Sequence, residues 1–483
     1  MTIGSALASA LSGLTVSARL AEIASNNIAN ALNDGFAKKQ AVVTARMLGD
    51  QGAGARVQGV TRSVDELILG DLRLATAAHH FHQSETTFLQ GIDTVFGTAE
   101  DEGAISNRIA GFEAALTRAQ SRPDSDPRLQ SVVDAAKWVA SGLNDVSKEI
   151  QTSRQAAETR ISGLVSQLNS DLQRIGELNA KITRISTSGR DSSAIEDQRQ
   201  QVIDRLASVV PLREEKRPNG AIALFSSGGL VLLDGRAAEF GFTPNAHVMP
   251  DQTIGSGLSA LTFNGQEITL NAQGGRLGVG ELTAQFDLRD RLAPQAQAHL
   301  DGLARDLVER LQDPAVDPTL GGAAGLFTDA GTAFAAANET GLSGRIAVNA
   351  AVSPEAGGAL WRLRAGIGAA SPGDPGDATI LLAMGAKVAR SLSPASAALS
   401  GQSGSVAELA SGLSAGFSVS RLGAERAQSF AATRHETLKA EHLENGVDTD
   451  EEMQTLLLIE QAYAANARVI QAADAMMQSI LEI

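Results

Sequence analysis

Three of the seven histidines fall within four residues, His79-His80-Phe81-His82, the densest set of metal-ligating side chains in the chain. Zinc asks for three or four ligands that converge on one point. Neighbouring residues cannot all turn to one ion, and no nearby carboxylate shares their helical spacing, so the cluster reads as a solvated helix end. Two acidic groups, Glu100-Asp101-Glu102 and Asp450-Glu451-Glu452, could supply the paired carboxylates of a hydrolase. Both precede helices, where capping and the helix dipole account for negative charge. Asp448-Thr449-Asp450 does not continue into a calcium loop, because the glycine at the sixth position is missing. No Gly-x-x-x-x-Gly-Lys-Ser/Thr loop occurs, and the glycines from Gly274 to Gly280 lack dinucleotide-binding spacing and read as a turn. Gly401–Ser405 resembles a hydrolase elbow only in composition and reads as a linker. The motifs therefore support no catalytic residue, no cofactor and no metal.

Long helices must carry whatever these groups do. The first runs from about Thr2 to Leu32 and stops near Asn33-Asp34-Gly35. Phe36–Ser63 reads as an extended connector, with Val42-Val43-Thr44 and Arg56–Val60 as short strands. Helical spacing resumes at Val64 and reaches Phe96, followed by Ile105–Ala119, a very long pattern from Leu129 to Ile185, and Ser193–Ala207. The long pattern's apolar seam includes Trp138, Leu143, Ile150, Ile161, Leu172 and Ile182. From Val210 to Gly280 the texture turns to alternation and tight turns at Asn219-Gly220, Asp234-Gly235 and Asn264-Gly265, a hairpin signature. Helix returns over Glu281–Leu311 with a kink expected at Pro294. Asp313–Ser405 is rich in loops, and a helix from Val406 to Glu444 precedes the Asn445-Gly446 turn.

The closing stretch carries Leu456, Ile459, Tyr463, Asn466, Ile470, Ala473, Met477 and Ile480 in alternating steps of three and four, the spacing that keeps one stripe against a partner helix. Leu7, Leu11, Leu14, Ala18, Ala21, Ser25, Ile28 and Leu32 follow the same steps at the other end. Neither helix should be stable alone, since ordering a residue costs about 1–2 kcal/mol and burying one seam side chain returns about 1.5–3 kcal/mol. Two complementary terminal helices are the expectation. The chain is expected to be α+β and multidomain: an inner unit of 1–35 with 445–483, a long-helix bundle of 36–209, 281–312 and 406–444, a β-rich unit of 210–280, and an unassigned segment of 313–405.

Composition narrows the function classes. The 483 residues carry a net charge of −15 and 4% aromatics, which argues against a nucleic-acid footprint and suits helices packed through small side chains. There is no cysteine, which removes disulfides, thiolate metal sites and cysteine nucleophiles. The first cationic residue of the apolar N-terminus, Arg19, lies on the wrong side for a secretory signal, and no stretch reads as apolar and long enough to span a bilayer.

Ala24-Ser25-Asn26-Asn27-Ile28-Ala29-Asn30-Ala31-Leu32-Asn33-Asp34-Gly35-Phe36 resembles the N-terminal signature of the bacterial flagellar rod, hook and hook-associated axial proteins, and the closing stretch resembles their C-terminal signature. Leu178–Ile182, Asp197-Gln198-Arg199 with Ile203–Leu206, and Gly274–Gly278 followed by Leu292-Ala293-Pro294 are similar to the hook-associated branch. The family usually has Tyr and Arg where this chain has Phe36 and Lys38. The resemblance covers both sides of Asp313–Ser405 but not that segment. It implies a structural protein joining hook to filament, self-associated into a ring or short helical tube whose terminal helices line an inner channel. It also implies contacts with the hook protein and a second hook-associated protein, and an export chaperone on the C-terminal helix. The implied location is extracellular, in the flagellum, reached without a cleaved signal peptide and without membrane insertion. Two other readings remain: a hook or rod protein, against which the Leu129–Ile185 stretch argues, and a cell-wall hydrolase using Asp313 or Asp317.

Overall fold

The computed structural model describes residues 3–33, 35–48 and 51–481; Thr2, Asp34 and Ile483 of the expected elements lie outside them. Eleven α-helices and thirteen short to medium strands occur among the described residues. The fold is α+β and multidomain.

The chain opens with α1 (Ile3–Ala29), an Ala- and Leu-rich helix whose only charges, Arg19 and Glu22, pair with each other at 2.7 Å. It ends three residues earlier than the spacing suggested, in a turn from Asn30 to Asn33. By length and composition α1 can cross a bilayer, which corrects the expectation that no stretch is apolar enough. The supposed connector is an antiparallel hairpin, β1 (Lys38–Leu48) and β2 (Gln51–Ser63), with Lys38 opposite Ser63 and two irregularities in register.

Next come α2 (Glu66–Phe96), capped by Asp65, then α3 (Ile105–Gln120) and α4 (Asp126–Thr187). At 62 residues α4 is about 93 Å long. Trp138, expected in its seam, is 44% exposed instead, and the guanidinium of Arg108 lies over its ring. After α5 (Ser193–Val209), a four-stranded antiparallel sheet forms from β3 (Leu212–Lys216), β4 (Ile222–Ser226), β5 (Val231–Asp234) and β6 (Arg236–Ala237). Its turns fall at Asn219-Gly220 and Gly235, and Asn264-Gly265 joins Thr262-Phe263 to Gln266-Glu267, because these residues take positive φ there.

Helix returns as α6 (Glu281–Asp287) and α7 (Ala293–Leu311), separated by one π turn, Leu288–Leu292. The kink expected at Pro294 is thus a slip in the ladder just ahead of it, where proline offers no amide hydrogen. Residues 313–405, unassigned from sequence, are a compact cap. Their Phe327, Leu342, Val352, Leu381 and Met384 share a core with α3, α4 and α7. Within the cap lie α8 (Arg362–Ala365) and α9 (Thr379–Ala389); α10 (Val406–Glu444) then starts with a Ser405–Glu408 capping box and runs along α2. The chain closes with α11 (Thr449–Leu481).

Two hydrophobic cores share α4. One takes its residues up to Ala157 with α3, α7, the cap and the start of α10; the other takes Ile161 onward with α5, the sheet and α6. Between them sits a buried ionic cluster. Arg154 donates to the carbonyls of Arg289, Met249 and Gln252, while Glu158 accepts from Arg289 at 2.6 Å and from the Asn245 amide at 2.7 Å. Asp290 completes the pairing of Arg289 at 2.8 Å. This cluster fixes the 245–259 segment across the middle of the long helix.

Candidate functional site

The two ends of the chain meet. α1 and α11 pack along each other, and β2 lies against α1 on another side. The face of α1 that is buried differs from the stripe read from the sequence. Ala10, Val16, Ser17, Ile23, Ala24 and Asn27 are buried, Leu7, Leu14 and Ile28 are half-buried, and Leu11 is 60% exposed. Small side chains bring the helix axes closer than leucines would allow. Gly13 shows this directly: a Cβ there would stand 2.6 Å from Oδ1 of Asn466. Asn466 lies against α1 in this way, with its amide donating to the Ala462 carbonyl one turn back at 2.9 Å.

On α11, Ile459 and Ala473 are buried and Leu456, Asn466 and Ile470 are half-buried. Tyr463, Met477 and Ile480 are exposed, as are Met453, Leu457, Leu458, Val469 and Met476 on other faces. An apolar surface of this extent on one helix marks an interaction surface.

A polar joint closes the inner end of this pair. Asn27, 1% exposed, donates to the Lys39 carbonyl at 2.9 Å and accepts from the Lys39 amide at 3.0 Å. It also donates to Glu452 at 3.1 Å. One amide side chain thereby ties α1, β1 and α11 together, matching both the donor and acceptor capacity of an asparagine. Lys38 donates to Glu451 at 2.6 Å and lies 3.4 Å from Glu452. The hydrogen bond to Glu451 holds the Lys38 ammonium above its ordinary range, against the opposing effect of burial. Behind them Lys39 and Arg62 share Asp197 of α5 at 2.9 and 2.8 Å. The Asp450–Glu452 run is therefore not simply a cap. Asp448 caps α11 by accepting from the amides of Asp450 and Glu451, and the glutamates bind Lys38 and Asn27.

The remaining residues of the N-terminal motif shape the turn. Asn26 and Ala29 are exposed, Asn30 accepts from Asn33, and Gly35 takes φ 77° where a side chain would meet Gln201. Phe36 carries the Lys39 ammonium 4.7 Å from its ring centre. Sequence reasoning missed Gly13 and Lys39, and noted Lys38 and Asp197 only as points of family resemblance, not as parts of the joint. The repeated asparagines were the available signal, since a buried amide requires partners.

The other chemical candidates resolve into structure. His79, His80 and His82 lie inside α2, not at a helix end, and His79 stacks on His435 of α10 at 5.6 Å. Among the described residues no group of three His, Asp or Glu is placed to hold a metal ion. Burial pushes His79 below its ordinary range. Asp101 does not cap α3; it accepts from the amide and hydroxyl of Thr98 and shapes the preceding loop. Asp313 pairs with Lys387, and Asp317 accepts from Thr319 and from the Ile367 amide. Gly412-Leu413-Ser414-Ala415-Gly416 has the spacing of a nucleophile elbow that the sequence reading passed over. It lies within continuous α10, and Ser414 is buried and donates to the Gly97 carbonyl.

Comparison with known proteins follows the same line. Residues 89–313 match the model of the flagellar hook-associated protein FlgK helical domain, and residues 444–483 match that of the flagellar basal body rod FlgEFG protein C-terminal region. Flagellar hook-associated protein 1 of Bacillus subtilis is 22% identical over 221 residues, 43% of this chain and 43% of that protein. The protein of the same name from Salmonella typhimurium is 24% identical over 236 residues, 47% of this chain and 42% of that protein. The chain thus spans less than half the length of these relatives. The hook junction protein FlgK of Burkholderia pseudomallei superposes with a TM-score of 0.44 and 20% identity, over 54% of this chain and 46% of that one.

Proposed function

We propose, from the premise that the chain is a relative of flagellar hook-associated protein 1, that it is a structural protein of the bacterial flagellum joining hook to filament. The terminal pair carries this reading. α1 and α11 meet through small and polar side chains, while Leu11, Leu457, Leu458, Val469, Met476 and Ile480 remain exposed and call for neighbours. A heterologous contact that closes on itself builds a ring, and one that does not builds a helical tube. Copies of the chain form such a ring or short tube, with residues 1–35 and 445–483 inside and the helical, β-rich and cap regions outside. The hook protein and a second hook-associated protein are its neighbours. Before assembly an export chaperone covers α11, since an exposed apolar stripe invites association. The chain leaves the cell by the flagellar export route and ends outside it.

The role is structural, not enzymatic. Asp317 and Asp313, the carboxylates a hydrolase would use, are committed to a loop and to Lys387. The match of residues 89–313 to a hook-associated helical domain favours the junction over a rod or hook position. The test is to label the chain in flagellated cells and to delete 449–481. Signal confined to the hook tip, lost on deletion, is the expected result; signal along the hook or in the rod refutes the junction role.

A further inference from the structure

The terminal helices and the hairpin form one unit, because α1 packs on both α11 and β2 and Asn27 ties α1, β1 and α11 together. Among the described residues, neither hydrophobic core of the body, α2 to α10, includes a side chain from this unit. The two pieces meet through charge instead. The ion pairs that cross the seam among the described residues all end at the start of α5. Lys39 and Arg62 hold Asp197 at 2.9 and 2.8 Å, Arg62 lies 3.9 Å from Glu196, and Arg19 lies 3.4 Å from Asp191. Asp197 is the centre of this set: its Oδ1 accepts from Nε of Arg62, and its Oδ2 faces Nζ of Lys39. The three side chains are only 10–13% exposed, so salt screens these pairs little.

The chain passes from the unit to the body through Val64-Asp65, ahead of α2, and returns through residues 445–448, between α10 and α11. Both links line one cavity of about 290 Å³, together with Phe36 of the unit and Leu72 of the body. They therefore lie close together, beside a seam that is not tightly packed. A polar boundary between two pieces leaves relative motion as the default expectation, and short links at element ends are where such motion is absorbed.

We infer that Asp197 is a latch. While it holds Lys39 and Arg62, the terminal unit keeps one pose on the body; without it, the unit pivots about residues 64–65 and 445–448. The latch stands on the geometry of the single chain, and only its use rests on the junction reading. A chain seated between two different neighbours gains from a terminal pair that can turn without unpacking either core, and ion pairs at a seam can open while both cores stay closed.

The absence of cysteine makes the test direct. Full-length Gln58→Cys/Lys181→Cys takes two spin labels, one on β2 and one near the end of α4, both at exposed positions. Pulsed electron resonance on the dilute monomer reads the distance between them. One narrow distribution is expected for the labelled chain with the latch intact. Asp197→Asn keeps the side-chain shape but leaves a single accepting oxygen for two cations. It should raise the displaced population roughly tenfold, a change equivalent to about 1.4 kcal/mol. Lys39→Gln/Arg62→Gln breaks the same pairs from the hairpin side and should do likewise; it decides the matter if hydrogen exchange shows that Asp197→Asn unfolds α5. Asp171→Asn, whose ion pair with Arg205 lies wholly within the body, should change nothing. A broad distribution with the latch intact, a narrow one in both latch variants, or equal broadening by Asp171→Asn overturns the latch. Each of these results leaves the junction reading standing, since that reading is tested by the position of the label in cells.

Discussion

Asn27→Ala is the sharpest test of the polar joint. The substitution removes three hydrogen bonds at once, two to the Lys39 backbone and one to Glu452. Each backbone group left buried without a partner costs about 1–3 kcal/mol. Lys39 is only part-buried, so water can reach some of what is lost, and a value in the lower half of the summed range of about 2–6 kcal/mol, about 3 kcal/mol, is the expected local cost. The Lys39 amide reports it directly. Its hydrogen exchange, slow while Asn27 accepts from it, should accelerate roughly 100-fold, since about 1.4 kcal/mol is a factor of ten. Asn26→Ala is the control: it has the same residue type, in the same motif and one position away, but is exposed, and should shift stability by no more than about 0.5 kcal/mol. Equal effects from the two substitutions, or less than about a fivefold change at Lys39 in Asn27→Ala, would refute the claim that burial and partner geometry give this motif its weight.

Gly54→Ala should detach the hairpin from α1 at a cost of about 2–5 kcal/mol, combining left-handed strain at φ 95° with a Cβ placed 1.8 Å from the Ser12 hydroxyl and 3.1 Å from the Ser9 backbone; urea titration with exchange mass spectrometry of α1 measures it. Arg154→Met should cost about 3–5 kcal/mol by leaving the carbonyls of Arg289, Met249 and Gln252 short of a donor, and calorimetry should then resolve separate melting of the two cores. At Glu113, burial and, after the opposing pull of Arg310, the charge of Glu408 leave the carboxyl above its ordinary range, with Oε1 unpaired. A raised acid pKa means the folded state holds its proton more tightly, so this residue destabilises the fold at neutral pH and the penalty fades as pH falls through the raised value. Glu113→Gln should accordingly add about 1 kcal/mol at pH 7 and nothing at acidic pH, as read from denaturation curves at the two pH values.

The helices were legible because their periodicity is local. The reach of α4 and the hairpin turns at Asn219-Gly220 and Asn264-Gly265 follow from spacing and from residues that accept positive φ. The cap at 313–405 was not legible, because short turns with few regular elements owe their order to Leu326, Phe327 and Leu381 packing on helices far away in sequence. The β1–β2 hairpin was read as a connector for a related reason: Val42 and Val43 lie on a half-exposed ribbon whose support is α1, so no alternation betrays a core face. The joint itself was half visible. Spacing marked the two terminal helices, and the charges near Asp450 were noticed. Their partners, Lys38 and Asn27, lie over 400 residues away, and only the fold brings them together.

The face that α1 turns toward α11 explains why leucine counting placed the stripe one position off. A heptad seam of leucines maximises buried area, yet this pair buries Ala10, Ser17, Ala24, Asn27 and Ala473 beside Val16, Ile23 and Ile459, and leaves Leu11 outside. Burying one leucine side chain returns about 1.5–3 kcal/mol, far more than an alanine. A pair built this way is held weakly within one chain and keeps its large apolar side chains for surfaces that the single chain does not cover. The same trade explains the buried Asn27. A polar contact with fixed geometry adds little net stability but sets the register and angle of the two helices, so exposed residues such as Leu457 and Val469 are presented in one orientation. If that is the design, replacing Gly13 and Ser17 by leucine should tighten or distort the pair in the isolated chain while impairing self-association, a split that sedimentation of the same variant at rising concentration would expose.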